Sequence, residues 1–152
     1  ERYAQISLFG SSFGGNVTAR VGCVRDDIHR TALRAPVTNY DVVLRSRYTE
    51  EERELWREQP MPIDERWDIK HPYEFVKDFA NNEVWSCARD ITCPVLVLHG
   101  DADMVIPITQ SKTFVSECPS AILEIVPNGN HSLTQLPRRG AVKAADFLVK
   151  SV

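Results

Sequence analysis

The sequence predicts an α/β fold built on a parallel sheet of about four strands flanked by helices. Apolar strand-like runs alternate with helix-like segments along most of the chain, and this alternation is typical of parallel sheets. One run, Cys93–Gly100, is almost continuously apolar. Such a run indicates a strand that is covered on both faces, as strands of parallel sheets are.

The first three elements are a strand, a helix and a second strand. The apolar run Ile6–Phe9 predicts the first strand, and residues 13–24 predict a helix. This helix carries three valines on one face: Val17, Val21 and Val24. The run Ile28–Ala35 predicts the second strand, which Pro36 ends.

The elements that follow Gly100 continue the alternation. We expect a helix over Ile108–Cys118, a strand over Ala121–Pro127 and a closing helix over Leu133–Val149 that is interrupted near Pro137.

Residues 37–90 differ from the rest in their richness in charged and aromatic side chains, with a break at Pro60 and Pro62. Thr49 and Glu52 form a capping-box pattern, which predicts a helix from that point to about Glu58. This helix is expected to bury Leu55 and Trp56, and a second short helix is expected over Tyr73–Phe79. Four aromatic residues either line an apolar pocket or anchor this segment, and the second interpretation is favoured: Trp56, Trp67, Tyr73 and Trp85.

Composition excludes several classes of partner. The 152 residues are enough for one domain with a buried core, and 43% hydrophobic with 26% charged residues is ordinary for a globular protein. A net charge of −3 provides no basic surface for nucleic acid or anionic membrane. No apolar stretch approaches the roughly 20 residues that span a bilayer. The chain begins at Glu1, directly before a strand-like run, which indicates a segment of a longer protein.

The four cysteines are scattered without the paired spacing of a metal site. They are Cys23, Cys87, Cys93 and Cys118. The pattern predicts free, mostly buried thiols in a reducing compartment, and therefore a cytoplasmic protein. We expect no metal and no cofactor.

Ser12 carries the most informative motif of the chain. It lies between Gly10 and Gly14 in the pattern Gly-x-Ser-x-Gly, directly after a predicted strand and directly before a predicted helix. This is the context of a nucleophile elbow, in which a sharp turn exposes a serine hydroxyl at the end of a strand. Glycine is expected at both flanking positions because a Cβ there would clash with neighbouring backbone.

A serine nucleophile needs a base and an acid that orients the base. His131 lies in a polar loop after the last predicted strand. Asp101 and Asp103 both follow the strand that ends at Gly100, at the edge where open α/β sheets place their sites. Spacing alone leaves both aspartates as candidates. His99 adjoins this loop, where a packing role is favoured and a hydrogen bond to the loop is the alternative.

Three segments resemble an α/β-hydrolase of the esterase or serine-peptidase-like kind: Gly10–Gly15, Pro94–Pro107 and Gly129–His131. Their chain order, serine before aspartate before histidine, is the order found in that family. The resemblance implies that Asp103 is the acid. It also implies that the chain is the C-terminal half of such a protein, with core segments 1–36 and 91–152 and a helical cap inserted between them at 37–90.

The resemblance implies a serine hydrolase that acts on a small ester, or on an amide or peptide, through Ser12, Asp103 and His131. The backbone N–H of Phe13 would bind the oxyanion, but the second donor usually comes from a loop after an earlier strand, which this sequence lacks. Three alternatives stay open: a binding module without activity, a truncated fragment, and an acyltransferase that uses the same residues.

The family's sheet has about four further strands before the elbow. Without them, Ile6–Phe9 is expected to lie at a sheet edge, and an apolar edge strand is a template for association. We therefore expect pairing along Ile6–Phe9, either with a second copy of the chain or with an upstream fragment.

Overall fold

The computed structural model describes residues 5–62, 70–134 and 137–150. The chain divides into two compact units. The core unit comprises Glu1–Thr38 and Val84–Val152, and the inserted unit comprises Asn39–Glu83. In chain order the elements are β1 (Ile6–Ser11), α1 (Phe13–Val24), β2 (Ile28–Arg34), α2 (Tyr40–Arg47), α3 (Glu50–Glu58), β3 (Met61–Pro62), β4 (Lys70–His71), α4 (Tyr73–Asn81), a 3-10 turn (Ala88–Asp90), β5 (Val95–Gly100), α5 (Thr109–Glu117), β6 (Ala121–Val126) and α6 (Pro137–Val149).

The core unit is built on a four-stranded sheet in the order β1-β2-β5-β6, with all neighbouring strands parallel. Leu33 of β2 is opposite Val97 of β5, which in turn is opposite Leu123 of β6. Every residue of β5 is buried. The predicted parallel α/β sheet of four strands is confirmed.

Helices cover both faces of this sheet. On one face, Leu33 and Val97 pack in a cluster with Ala19 of α1 and Phe114 of α5. On the other face, strand residues pack in a second cluster with Ala144 of α6. Helix α6 begins at Pro137, a favoured first helical residue because its missing N–H would have no helical partner there.

The valine face predicted for α1 is not its core face. Val17 and Val24 are exposed, and the buried residues of the helix are mostly small: Gly15, Asn16, Ala19 and Gly22. A side chain at Gly15 would meet Pro36, whose Cβ would lie 2.7 Å from the added Cβ. At Gly15 the helix packs so close to Pro36 that a larger side chain has no room.

The inserted unit contains helices α2, α3 and α4 and the antiparallel pair β3–β4. The predicted capping box is confirmed, because Thr49 Oγ1 accepts from Glu52 N–H while the Glu52 carboxylate accepts from Thr49 N–H. Trp56 is buried and its Nε1–H donates to the His71 carbonyl at 2.9 Å. The prediction that Leu55 is buried was wrong, since it lies 43% exposed on the solvent face of α3.

Helix α2 was not predicted. Its start is marked by Asn39, whose side-chain oxygen accepts from Val42 N–H at 3.2 Å. The role of the inserted unit as a cap stays a prediction.

A polar junction within the core unit joins the two ends of the chain that flank the inserted unit. Val84 N–H donates to the Thr38 carbonyl at 2.8 Å. The buried Thr38 hydroxyl accepts from Trp85 Nε1–H at 2.8 Å and lies 2.9 Å from Gln110 Oε1, which also accepts from Thr38 N–H. Trp85 therefore belongs to this junction, and Trp67 lies outside the described residues.

The prediction of four free thiols was wrong. Cys23 of α1 and Cys87 form a disulfide with a Cα–Cα distance of 5.8 Å, across a sequence separation of 64 residues. Cys93 and Cys118 are free and buried. Sequence spacing could not reveal the pair because the fold brings distant segments together. The predicted cytoplasmic location loses its support, since disulfides are rare in reducing compartments.

Strand β1 lies at one edge of the sheet. Its apolar side chains Ile6 and Phe9 are 42% and 52% exposed. Association along this edge, with a second copy or an upstream fragment, stays a prediction. Across the described residues, every helix is too short or too polar to cross a membrane.

Candidate active site

Ser12 stands at the turn between β1 and α1 in a strained backbone conformation, with φ 54° and ψ −121°. Its backbone is held on both sides, because Ser12 N–H donates to the Arg34 carbonyl at 2.9 Å and the Ser12 carbonyl accepts from Val37 N–H at 3.1 Å. A serine at a helix N-cap usually caps the helix with its hydroxyl. The Ser12 side chain makes no such bond, so its hydroxyl is available to another partner.

The elbow requires glycine at only one of the two predicted positions. A Cβ at Gly10 would clash with Thr18 and with the Gly14 carbonyl, which confirms the prediction there. The prediction for Gly14 was wrong, because nothing lies within 4 Å of the position a Cβ would take. At the start of α1, glycine is instead required at Gly15, because a Cβ there would clash with Pro36.

The loop that carries His131 begins with a tight turn after β6. Gly129 N–H donates to the Val126 carbonyl at 3.0 Å, and Asn128 has φ 56° at the third position of the turn, where asparagine tolerates this conformation. Asn128 N–H donates to Asp101 Oδ1 at 2.6 Å. Asp101 therefore ties the end of β5 to the histidine loop.

The aspartate loop and the histidine loop also touch through their backbones. Ala102 N–H donates to the Gly129 carbonyl at 3.1 Å. A Cβ at Gly100 would lie 2.8 Å from Gly129 Cα, so glycine is required for this approach. These backbone contacts fix the position of the aspartate loop relative to the histidine loop.

The structure brings Ser12, Asp103 and His131 together. His131 Nδ1 lies 2.8 Å from Asp103 Oδ2, and His131 Nε2 lies 3.0 Å from Ser12 Oγ. An ionised carboxylate can only accept a hydrogen bond, so the proton of the neutral ring is on Nδ1. Nε2 then accepts a hydrogen bond from the Ser12 hydroxyl. The three residues come from the ends of β1, β5 and β6, the carboxyl edge of the parallel sheet.

Asp103, and not Asp101, contacts His131. The Asp103 side chain is fully buried, and burial by itself raises the pKa of a carboxyl. Hydrogen bonds from His131, His99 and the N–H groups of Ile106 and Val105 outweigh that effect and hold the pKa of Asp103 well below its usual range. The carboxylate therefore stays charged wherever His131 can act as a base.

One further contact of the site was not predicted, and another was predicted only as an alternative. Arg34 at the end of β2 donates from Nε to Ser11 Oγ at 2.9 Å, beside the elbow. His99 at the end of β5 lies with Nε2 3.2 Å from Asp103 Oδ2, which is the hydrogen bond that the sequence offered only as an alternative. Phe13 is the first residue of α1, so its N–H lies at the positive end of the helix dipole.

The residues that the structure describes contain no group of three or more His, Cys, Asp or Glu side chains that could hold a metal ion. The chemistry open to this arrangement is that of a serine hydroxyl paired with an imidazole and an oriented carboxylate.

Comparison with known proteins identifies the family of the chain and its fold. The family model described as serine aminopeptidase, S33, matches residues 38–135, which include Asp103 and His131. A non-heme haloperoxidase from Rhodococcus erythropolis is 34% identical over 62 residues, covering 40% of this chain and 23% of that protein.

Solved structures share the fold. Est1E from Butyrivibrio proteoclasticus superposes with a TM-score of 0.75 at 20% identity, covering 96% of this chain and 60% of that one. Alpha/beta hydrolase domain-containing protein 10 from mouse gives 0.74 at 20% identity, covering 97% and 64%. The chain thus spans less than two thirds of each relative. The match of the family model extends over well over half of the chain, and the chain therefore belongs to the serine aminopeptidase S33 family of α/β hydrolases.

Proposed function

We propose that this chain carries the catalytic serine, acid and base of a hydrolase that cleaves carboxylic esters through an acyl-serine intermediate. The observation that carries the proposal is the position of His131. Its Nε2 lies 3.0 Å from Ser12 Oγ while its Nδ1 lies 2.8 Å from Asp103 Oδ2. This is the hydrogen-bond chain that converts a serine hydroxyl into a nucleophile.

In the first half of the reaction, Ser12 Oγ attacks the carbonyl carbon of the ester while its proton moves to His131 Nε2. The tetrahedral intermediate collapses, and the leaving alcohol takes that proton from Nε2. In the second half, a water molecule loses a proton to Nε2 and attacks the carbonyl carbon of the acyl-serine. The bond from that carbon to Ser12 Oγ then breaks, Oγ takes the proton back from Nε2, and the acid is released. Asp103 accepts from Nδ1–H throughout and stabilises the charged imidazolium without taking its proton.

The oxyanion is bound by the N–H of Phe13, the residue that follows the nucleophile. A second donor normally comes from the loop after an earlier strand, and β1 is the first strand among the described residues. Removing one such donor costs about 100- to 1,000-fold in rate. We therefore expect slow turnover from the chain on its own, unless another segment or a second copy supplies that donor.

An ester is the substrate class best supported by the solved relatives. Est1E has also been solved with ferulic acid bound. The family description, in contrast, names an aminopeptidase. Ester and aminoacyl amide substrates therefore need to be compared directly on this chain.

Labelling with a fluorophosphonate probe tests the proposal, because a single covalent event is detected even when turnover is slow. We expect one probe per chain in the unaltered protein and none in Ser12→Ala. Ser11→Ala is the matched control, since Ser11 adjoins Ser12 but donates to no imidazole, and it should label normally. A folded protein that does not label is a binding module, and the proposal is then wrong.

Turnover of p-nitrophenyl esters separates the two aspartates. Asp103→Asn is expected to lower kcat by about 10,000-fold, because the amide favours the wrong tautomer of His131. Asp101→Asn should act more mildly, since Asp101 contacts Asn128 of the histidine loop rather than the imidazole. Turnover that survives in Asp103→Asn contradicts the assignment of the acid.

A further experiment tests whether the chain is an acyltransferase. An alcohol acceptor is added to the reaction, and formation of a new ester in place of the free acid identifies that activity.

A further inference from the structure

The most buried titratable group near the site is His99. Its side chain is fully excluded from solvent at the penultimate position of β5. Nδ1 lies 2.7 Å from the hydroxyl of Ser111, which is itself fully buried on α5. Nε2 lies 3.0 Å from the Ile106 carbonyl oxygen and 3.2 Å from Asp103 Oδ2. The mechanism proposed above assigns this side chain no task.

The partners of His99 determine which ring nitrogen carries the proton. A carbonyl oxygen and a carboxylate oxygen can only accept, so Nε2 must carry a proton, which the two oxygens share. In the neutral ring Nδ1 is then an acceptor, and the Ser111 hydroxyl donates to it. His99 is therefore a hydrogen-bond donor to the Asp103 loop. The Ser111 hydroxyl fixes the other nitrogen of the ring.

The Asp103 carboxylate is surrounded by N–H donors. Its Oδ1 accepts from the backbone N–H of Val105 at 2.8 Å and of Ile106 at 2.9 Å. Its Oδ2 faces His131 Nδ1 at 2.8 Å and His99 Nε2 at 3.2 Å. The two backbone bonds fix one oxygen, while His99 is the side chain that shares the other oxygen with His131.

We propose that His99, held by Ser111, is a positioning residue that orients Oδ2 of Asp103 toward His131. The expected effect on kcat rests on the proposed function. The expected orientation of the Asp103 carboxylate does not. His99 bonds both to the carboxylate and to the Ile106 carbonyl of the same loop. It therefore fixes the carboxyl plane and the loop that carries it together.

The main test compares two replacements of His99. The Phe ring cannot donate a hydrogen bond, whereas the Gln amide can. In His99→Phe we expect kcat for p-nitrophenyl acetate to fall about 10- to 100-fold with KM changed less than twofold. In His99→Gln, whose amide nitrogen can reach the place of Nε2, most of the loss should be recovered. Thermal unfolding of each variant shows whether it is folded.

A milder pair of variants avoids reshaping the buried site. Ser111→Ala removes only the hydroxyl that holds Nδ1, and we expect kcat to fall a few-fold. Ser116→Ala is the matched control, since Ser116 is on the same helix and, among the described residues, its hydroxyl bonds to the Thr113 carbonyl and to no imidazole. It should leave kcat unchanged. An equal effect of the two variants contradicts the proposal.

A double-variant comparison shows whether His99 acts through Asp103. In an Asp103→Asn background, His99→Phe should lower kcat no further, whereas a purely structural role lowers it by the same factor in both backgrounds.

Proton NMR of the His131 Nδ1–H provides a readout that does not depend on turnover. Its signal should move or broaden in His99→Phe and return in His99→Gln. A folded His99→Phe protein with an unchanged His131 signal overturns the proposal. Failure of the unaltered chain to label at Ser12 overturns the proposed function instead.

Discussion

The disulfide between Cys23 and Cys87 leads to a quantitative prediction about stability. It closes a loop of 64 residues that contains the whole inserted unit. In the chain-entropy model a loop of this length stabilises the folded state by about 4 kcal/mol. Free energies of unfolding for single domains are about 5–15 kcal/mol. The bond thus accounts for a large share of the total stability.

The test is the double variant Cys23→Ala/Cys87→Ala. We expect its free energy of unfolding to fall by about 4 kcal/mol, which moves the urea midpoint by about 2 M for a typical domain. Unfolding in urea, followed by circular dichroism with and without dithiothreitol, measures the change. Reductant should lower the midpoint of the unaltered protein and leave that of the double variant unchanged.

Cys93→Ala/Cys118→Ala is the matched control, because these thiols are free and buried. It should keep the sensitivity to reductant. Thiol counting in urea without reductant should find two reactive thiols in the unaltered chain. Four reactive thiols, or a midpoint that does not respond to reductant, would refute the reasoning.

Three further predictions concern a glycine pair, a tyrosine and a sheet edge. Gly14→Ala should be tolerated or stabilise the protein by up to about 1 kcal/mol, whereas Gly15→Ala should destabilise it through contact with Pro36; thermal unfolding compares the two. Burial raises the pKa of Tyr40 to about 12. Both folded and unfolded chains keep this proton below pH 10, and between pH 10 and 12 the unfolded chain ionises first, so about 2–3 kcal/mol of stability is lost as pH rises. Urea unfolding at pH 9 and 11.5 should show about 2 kcal/mol of this loss in the unaltered chain and a smaller loss in Tyr40→Phe. Phe9→Lys should shift any self-association along β1 toward monomer in sedimentation velocity, and an unaltered chain that is monomeric and fully stable argues against pairing there.

The sequence predicted the sheet and the order of the site residues because both depend on local patterns. The buried run of β5 and the glycines around Ser12 indicate strand and turn without reference to the rest of the chain. The order of serine, aspartate and histidine then places three side chains at one edge of a parallel sheet. Choosing Asp103 over Asp101 required the family resemblance, because both aspartates follow the same strand.

What the sequence missed depends on distances between remote segments. The pairing of Cys23 with Cys87 and the crowding of Gly15 by Pro36 arise only after α1 packs on the sheet. The contact of His99 with Asp103, which the sequence offered only as an alternative, depends on how the loop after β5 folds back, and periodicity does not describe that. The shared face of the α1 valines does not show which side of the helix is buried, and the buried residues are mostly small ones.

The junction at Thr38 has a consequence for how this chain can change over evolution. The chain leaves and re-enters the core unit at neighbouring positions, joined by the hydrogen bond from Val84 N–H to the Thr38 carbonyl. Gln110 and Trp85 anchor the same point from the core side. Ser12, Asp103 and His131 all belong to the core unit, so the 45 residues of Asn39–Glu83 form a modular segment. Its length and sequence can diverge, or be exchanged for another segment, while the hydrogen-bond chain of the site is preserved.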